Sequence, residues 1–224
     1  MSDLINITIN GENVQAREGM TILEVARKAD IYIPTICHHE GLESYGACRL
    51  CVVEIISGTR RRVVASCLYP VSEGLVVETE TEKLVRYRRT ILTLLLQRWD
   101  KIPQVLLDRY EVRSVDRLVE NMTYCILCGL CVRFCHEIKG ANVLGFIGRG
   151  TVRQVVIFPN QAVKYCATSC PREMECLNYC PTGVISSHYY GNRPADGQPL
   201  PHAYPICIKE DVNVLEILER VGHV

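Results

Sequence analysis

Cysteine spacing is the feature that most restricts what this chain can fold into. Of its 224 residues, 13 are cysteine. They fall into Cys37-x10-Cys48-x2-Cys51-x15-Cys67, then Cys125-x2-Cys128-x2-Cys131-x3-Cys135, then Cys166-x3-Cys170-x5-Cys176-x3-Cys180, with Cys207 left over. Clustering at gaps of two and three residues argues for metal ligation rather than disulfides. The opening stretch MSDLINITIN has Asp3 where a basic leader region would stand, and the most apolar run, TILTLLL, is far too short to span a membrane. A cytoplasmic chain is therefore expected, in a reducing compartment that also favours metal over disulfide. Lys plus Arg and Asp plus Glu stand at 25 each, so no net field calls for nucleic acid or an anionic membrane as the main partner. The local basic runs Arg60-Arg61-Arg62 and Arg86-Tyr87-Arg88-Arg89 are expected to be solvated faces, the second with a subunit contact as its alternative.

Around the first cysteines the pattern is that of a small α+β unit over residues 1–80. INITI alternates as a half-buried strand does and runs into Asn10-Gly11, a hairpin turn signal, with NVQARE as the return strand. Thr21 and Glu24 form a capping box, and Ile22, Val25, Ala26 and Ala29 give the following helix an apolar face. CVVEII and RRVVAS read as strands around Ser57-Gly58, and LVVETE as another. Residues 81–122 change character to helical spacing with no cysteine, a helical connector. Residues 123–190 are dense in cysteine and glycine, with a β-hairpin near 146–158 and a core too thin to stand without metal. Residues 191–224 read as an extended Pro/Gly-rich tail ending in a short helix capped by Asp211 and closed by Gly222. The apolar side of that helix, Val214, Leu215, Leu218 and Val221, suits packing on its own chain as well as docking on a partner.

The spacing of Cys37, Cys48, Cys51 and Cys67 suits two irons bridged by two sulfides: three thiolates come from one tight loop and the fourth from a later strand. Gly41 and Gly46 let that loop aim backbone N–H groups at the cluster sulfurs. The segment resembles the plant-type [2Fe–2S] ferredoxin, in the version found at the N-terminus of the complex I large iron–sulfur subunit and its soluble hydrogenase and formate dehydrogenase relatives. That resemblance implies a β-grasp fold. A structural zinc site is the alternative, disfavoured because only one Cys-x2-Cys pair is present where zinc knuckles prefer two. His38 and His39 lack the Cys-x-His pairing of a Rieske site and are expected to be loop residues near solvent.

CILCGLCVRFC is similar to the bacterial ferredoxin run in which three thiolates hold one cubane and the fourth reaches to the next. Cys125, Cys128, Cys131 and Cys180, which precedes Pro181, are then the first [4Fe–4S] ligand set, and Cys135 joins the second. In that second set Cys176 and Cys170 fall in place, but the middle position is Glu173. Iron–sulfur clusters favour thiolate, so Cys166 is the preferred replacement, giving Cys135, Cys166, Cys170 and Cys176. Glu173, Cys207 from the tail, and a three-iron or absent cluster stay open. Cys207 otherwise reads as a small buried hydrophobe.

The resemblance covers residues 1 to about 190, with one departure. Larger relatives carry a further cubane on one His and three Cys between the two regions, whereas nothing from Leu68 to Tyr124 is His or Cys. No Gly-x-Gly-x-x-Gly follows a strand and no P-loop is present, and the glycine-rich GFIGRG reads as a hairpin turn. The expectation is an electron-relay subunit of a soluble NAD(P)H-linked oxidoreductase, without a substrate site of its own. It would carry one [2Fe–2S] and two [4Fe–4S] clusters. By the resemblance, its partners would be a flavin/NADH-binding iron–sulfur subunit and a second catalytic subunit: a hydrogenase, a formate dehydrogenase or an NADP-linked flavoprotein. Soluble ferredoxin would be a further partner in a flavin-based electron-bifurcating complex. An independent multi-cluster ferredoxin and a zinc-stabilised scaffold are the rival readings.

Overall fold

The computed structural model describes residues 4–99, 102–115, 125–157 and 179–182. Its backbone divides into two compact units: Met1–His38, Ser44–Leu94 and Gln104–Arg113 in one, His39–Glu43, Leu95–Pro103 and Ser114–Val224 in the other.

The first unit is built on a five-stranded mixed sheet of order β2-β1-β5-β3-β4. Strands β1 (Leu4–Ile9) and β2 (Glu12–Arg17) pair antiparallel around Asn10 and Gly11, whose φ values of 53° and 84° are those a two-residue hairpin turn demands. Ile5, Ile7 and Ile9 point inward while Leu4, Asn6 and Asn10 face out, the period of two seen in the sequence. Helix α1 (Ile22–Lys28) starts at Thr21, whose hydroxyl accepts from the Glu24 N–H at 3.3 Å, while the Glu24 carboxylate accepts from the Thr21 N–H at 2.6 Å. Two orphan donors of the first turn are thereby satisfied. The helix buries Ile22, Leu23, Val25 and Ala26 on the sheet, at about 1.5–3 kcal/mol for each large aliphatic side chain. Strands β3 (Val52–Ser57) and β4 (Arg60–Ala65) form the second hairpin, and β5 (Val76–Glu78) lies between β1, in parallel, and β3, antiparallel. The Asn10 carboxamide oxygen accepts from the Thr79 N–H at 2.8 Å, so the hairpin turn also holds the end of β5.

Helix α2 (Glu82–Leu96) and helix α3 (Gln104–Arg109) occur where the sequence has helical spacing. All of α3 and α2 as far as Leu94 belong to the sheet unit. Helix α2 buries Leu84, Arg88 and Leu92, which recur every four residues and so share one face. This corrects the solvated reading of Arg86-Tyr87-Arg88-Arg89: Arg88 is fully buried. Arg60, Arg61 and Arg62 are exposed as expected, and Arg61 pairs with Glu54 at 3.4 Å.

In the second unit, helix α4 (Leu130–Arg133) runs straight into a π-helical turn over Phe134–Ile138. A short hairpin follows, β6 (Leu144–Ile147) with β7 (Gln154–Ile157), beginning two residues earlier than the sequence suggests. The chain reverses through a 3₁₀ turn at Gly150–Val152. Gly148 has φ 70°, and a Cβ there would lie 2.4 Å from the Val152 carbonyl oxygen. Only glycine fits that approach. Among the described residues no helix is long and apolar enough to cross a membrane.

Candidate metal centres

The loop between α1 and β3 gathers the thiols of Cys37, Cys48 and Cys51, and the turn after β4 brings Cys67. Cys37, Cys51 and Cys67 are almost completely buried, and Cys48 is half-buried. The four meet in pairs. The Cys51 and Cys67 sulfurs are 3.4 Å apart, and the Cys48 N–H donates to the Cys37 sulfur at 3.3 Å. Between Cys37 and Cys51 two residues have left-handed backbone, Gly46 at φ 67° and Arg49 at φ 58°. Arg49 stands inside the Cys48-x2-Cys51 step, where such a kink turns successive N–H groups toward one point. For a non-glycine residue this conformation stores strain of the kind found at ligand clamps.

The electrostatics favour thiolate at Cys48 and Cys51. A hydrogen bond with Cys37, offset in part by burial, brings the Cys48 thiol down to about 6. A hydrogen bond with Cys67 brings Cys51 down to about 7, and the same bond, with burial, pushes the Cys67 thiol up. Thiolate is the form that binds iron. The carbonyls around Cys51 are also held. Ser66, fully buried, donates its hydroxyl to the Cys51 carbonyl at 2.8 Å and its N–H at 3.1 Å, while Arg88 donates to the carbonyls of Leu50 at 3.3 Å and Val52 at 2.7 Å. Among the described residues no group of three or more His, Cys, Asp or Glu is arranged to hold a metal ion. Two adjoining thiol pairs suit instead a group with two metal atoms, two thiolates to each, and this donor set fits a [2Fe–2S] cluster.

His38 is buried, with its Nδ1 3.3 Å from the Ser44 hydroxyl, and so departs from the expected place near solvent. His39 is half-buried, and its Nδ1 accepts from the Gly41 N–H at 3.1 Å.

In the second unit Cys131 lies on α4 and Cys135 in the π turn. Both join Cys180 in a buried apolar cluster with Ala141, Val143, Leu144 and Val155, against which Cys125 packs. Cys128 is buried as well. Leu127 and Gly129 alternate with the cysteines in left-handed conformation, φ 55° and 77°, repeating the device seen at Arg49. The Val143 N–H donates to the Cys135 sulfur at 3.1 Å, and the Thr182 hydroxyl lies 3.4 Å from the Cys180 sulfur. Burial pushes the Cys125 thiol up, and the nearby Cys180 adds to the shift. A π turn widens the helix by one residue per turn, often where a side chain must be re-aimed for function, and here it carries Cys135. Tyr179, next to Cys180, has its ring between those of His39 at 4.6 Å and Phe134 at 4.2 Å. The side chains expected to complete the second cubane, Cys166, Cys170 and Cys176 with Glu173 and Cys207 as alternatives, lie outside the described residues, as does the terminal helix.

Sequence reasoning passed over Arg88, Ser66 and Thr182. For Arg88 a signal existed, since it stands four residues from both Leu84 and Leu92 on one helical face.

A family model described as "2Fe-2S iron-sulfur cluster binding domain" matches residues 2–82, and one described as "NADH-quinone oxidoreductase subunit 3, ferredoxin-like domain" matches residues 116–186. The chain is 30% identical to the NADP-reducing hydrogenase subunit HndD of Solidesulfovibrio fructosivorans, over 84% of this chain and 37% of that protein. It is 28% identical to an NADH-quinone oxidoreductase subunit of Rickettsia bellii (84% and 30%) and 27% identical to the mitochondrial NADH-ubiquinone oxidoreductase 78 kDa subunit of Candida albicans (97% and 32%). It thus spans about a third of the length of these relatives. A solved NAD⁺-reducing [NiFe]-hydrogenase in the H2-reduced state matches with TM-score 0.57 and 29% identity, over 68% of this chain and 74% of that one. The chain therefore joins a 2Fe–2S iron–sulfur cluster binding domain to a ferredoxin-like domain of the subunit 3 type, and is homologous to subunits of NADH-quinone oxidoreductases and NAD(P)-reducing hydrogenases.

Proposed function

We propose that this chain is the electron-relay subunit of a soluble, cytoplasmic NAD(P)H-linked oxidoreductase. It passes single electrons between a flavin/NADH-binding subunit and a second catalytic subunit or ferredoxin, in a complex of the electron-bifurcating kind. The observation that carries this reading is the meeting of the Cys37, Cys48, Cys51 and Cys67 thiols as two pairs, all but the half-buried Cys48 buried. Homology to NADH- and hydrogenase-linked subunits supports it.

In this reading the first unit has the β-grasp fold and Cys37, Cys48, Cys51 and Cys67 hold a [2Fe–2S] cluster. Cys125, Cys128, Cys131 and Cys180 hold one [4Fe–4S] cluster, and Cys135 with Cys166, Cys170 and Cys176 holds another. The clusters supply one-electron storage with little change of shape. The chain's own contribution is to bury the thiolates, direct N–H groups such as that of Cys48 at their sulfurs, and keep water away. No residue of the chain forms or breaks a substrate bond.

Anaerobic iron and sulfide analysis tests the reading, with about ten irons per chain and matching acid-labile sulfide expected. Zinc as the main metal would reject it. EPR of the reduced Cys166→Ser and Glu173→Ala variants decides the displaced ligand: loss of one cubane signal is expected in the first, and loss in the second alone would make Glu173 the ligand. Purification from the native cell is expected to bring a flavoprotein subunit with the chain, and a chain that runs alone at its own mass favours the independent ferredoxin.

A further inference from the structure

We propose that Arg88 sets the reduction potential of the [2Fe–2S] centre, by presenting a buried positive charge at the backbone on both sides of the ligand Cys51. Four observations converge. The guanidinium is fully buried, an uncommon place for a charge without a role. It donates through Nε to the Leu50 carbonyl and through Nη2 to the Val52 carbonyl, the two residues that flank Cys51. Through Nη1 it meets the Glu80 carboxylate and, at 3.4 Å, the Tyr110 hydroxyl. Glu80 is partly solvent-exposed, with 37% of its side chain accessible, so its charge is screened more than that of Arg88.

Standard bond geometry bounds the distance from the guanidinium to the Cys51 sulfur at about 10 Å. Reduction adds one electron, hence one negative charge, to the cluster. A fixed cation that near, in a medium of low dielectric, stabilises the reduced state more than the oxidised one and raises the potential. The fork also holds the carbonyls of the two residues that flank the ligand, with two N–H groups fixed in one plane. Arg88 is a positioning and tuning residue, set on a helix that follows the sheet rather than in the cysteine loop itself.

The inference rests on the [2Fe–2S] reading, and the experiment separates the two. In the full chain purified without oxygen, the [2Fe–2S] EPR signal is titrated against potential for wild type, R88K, R88M and E80Q. A wild-type chain with no such signal defeats the cluster reading. With the signal present, R88M is expected to disfavour reduction at least tenfold, which is about 59 mV more negative for one electron. R88K keeps most of the wild-type potential while losing cluster faster on incubation with a chelator. E80Q, which removes the counter-charge and leaves the fork in place, moves the potential the other way. If R88M retains its cluster and its reduction equilibrium changes less than twofold, the proposal is overturned. If R88M loses the cluster, E80Q decides, and an E80Q midpoint equal to or below wild type overturns it.

Discussion

The two units bury their cysteine thiols by opposite economies of structure. In the sheet unit sixteen buried residues form one apolar cluster, and only Cys51 and Cys67 of them are cysteines. In the described part of the other unit the cluster has seven members, three of which are Cys131, Cys135 and Cys180. The first has an aliphatic core to which Cys51 and Cys67 are added. In the second the cysteines are much of the described core, so a group bound by them would take the place of missing aliphatic side chains. Even so, both use the same local device, a left-handed residue inside a Cys-x2-Cys step, at Arg49 in one and Leu127 in the other. Backbone geometry beside the cysteines is thus shared, while the make-up of the core is not.

The strongest test of this contrast is removal of iron. With a chelator under anaerobic conditions, amides of β6 and β7 are expected to lose most of their protection from hydrogen exchange, while those of β1 and β3 keep theirs. Simultaneous loss in both units would break the comparison. Next in size, Leu23→Ala, at a fully buried position of the sheet core, is expected to cost the first unit about 2–5 kcal/mol. Denaturant unfolding followed by far-UV circular dichroism reads it, with iron bound and after its removal. Gly46→Ala should cost about 1–2 kcal/mol, because φ 67° is unfavourable for any residue with a Cβ. The added methyl would also meet the Leu68 side chain at 2.4 Å, but Leu68 is 46% exposed and free to swing. Thermal unfolding measures the cost, and retention of the [2Fe–2S] signal shows whether the loop still closes. The smallest effect is that of Thr21→Ala, which removes the capping hydroxyl of α1 and costs about 1 kcal/mol. It should lower the melting temperature of the sheet unit and leave every cluster spectrum unchanged.

Features that depend on near neighbours in the chain were readable in advance. The Asn10-Gly11 turn, the Thr21–Glu24 box and the alternation of Ile5, Ile7 and Ile9 each need only a few adjacent residues to take effect. Glycine at 148 as the pivot of a hairpin belongs with them, since the approach it permits is to Val152, four residues on. Arg88 and His38 went the other way. A basic run is solvated unless something distant covers it, and what covers Arg88 comes from Glu80, Tyr110 and the carbonyls beside Cys51, up to 38 residues away. The buried Glu54 carboxylate is a like case, held by Arg61 and Lys83 at 3.4 and 3.2 Å.

The amino-acid order alone determined that sulfur would be presented in tight groups on turning loops, because the gaps between cysteines and the glycines beside them act over single turns of chain. Only the tertiary structure decided which thiols adjoin, Cys51 with Cys67 and Cys48 with Cys37, and which charge stands behind them. Those outcomes come from segments far apart in sequence that must share one interior. In the low dielectric of that interior a buried guanidinium such as that of Arg88 would be felt at a sulfur several ångströms away.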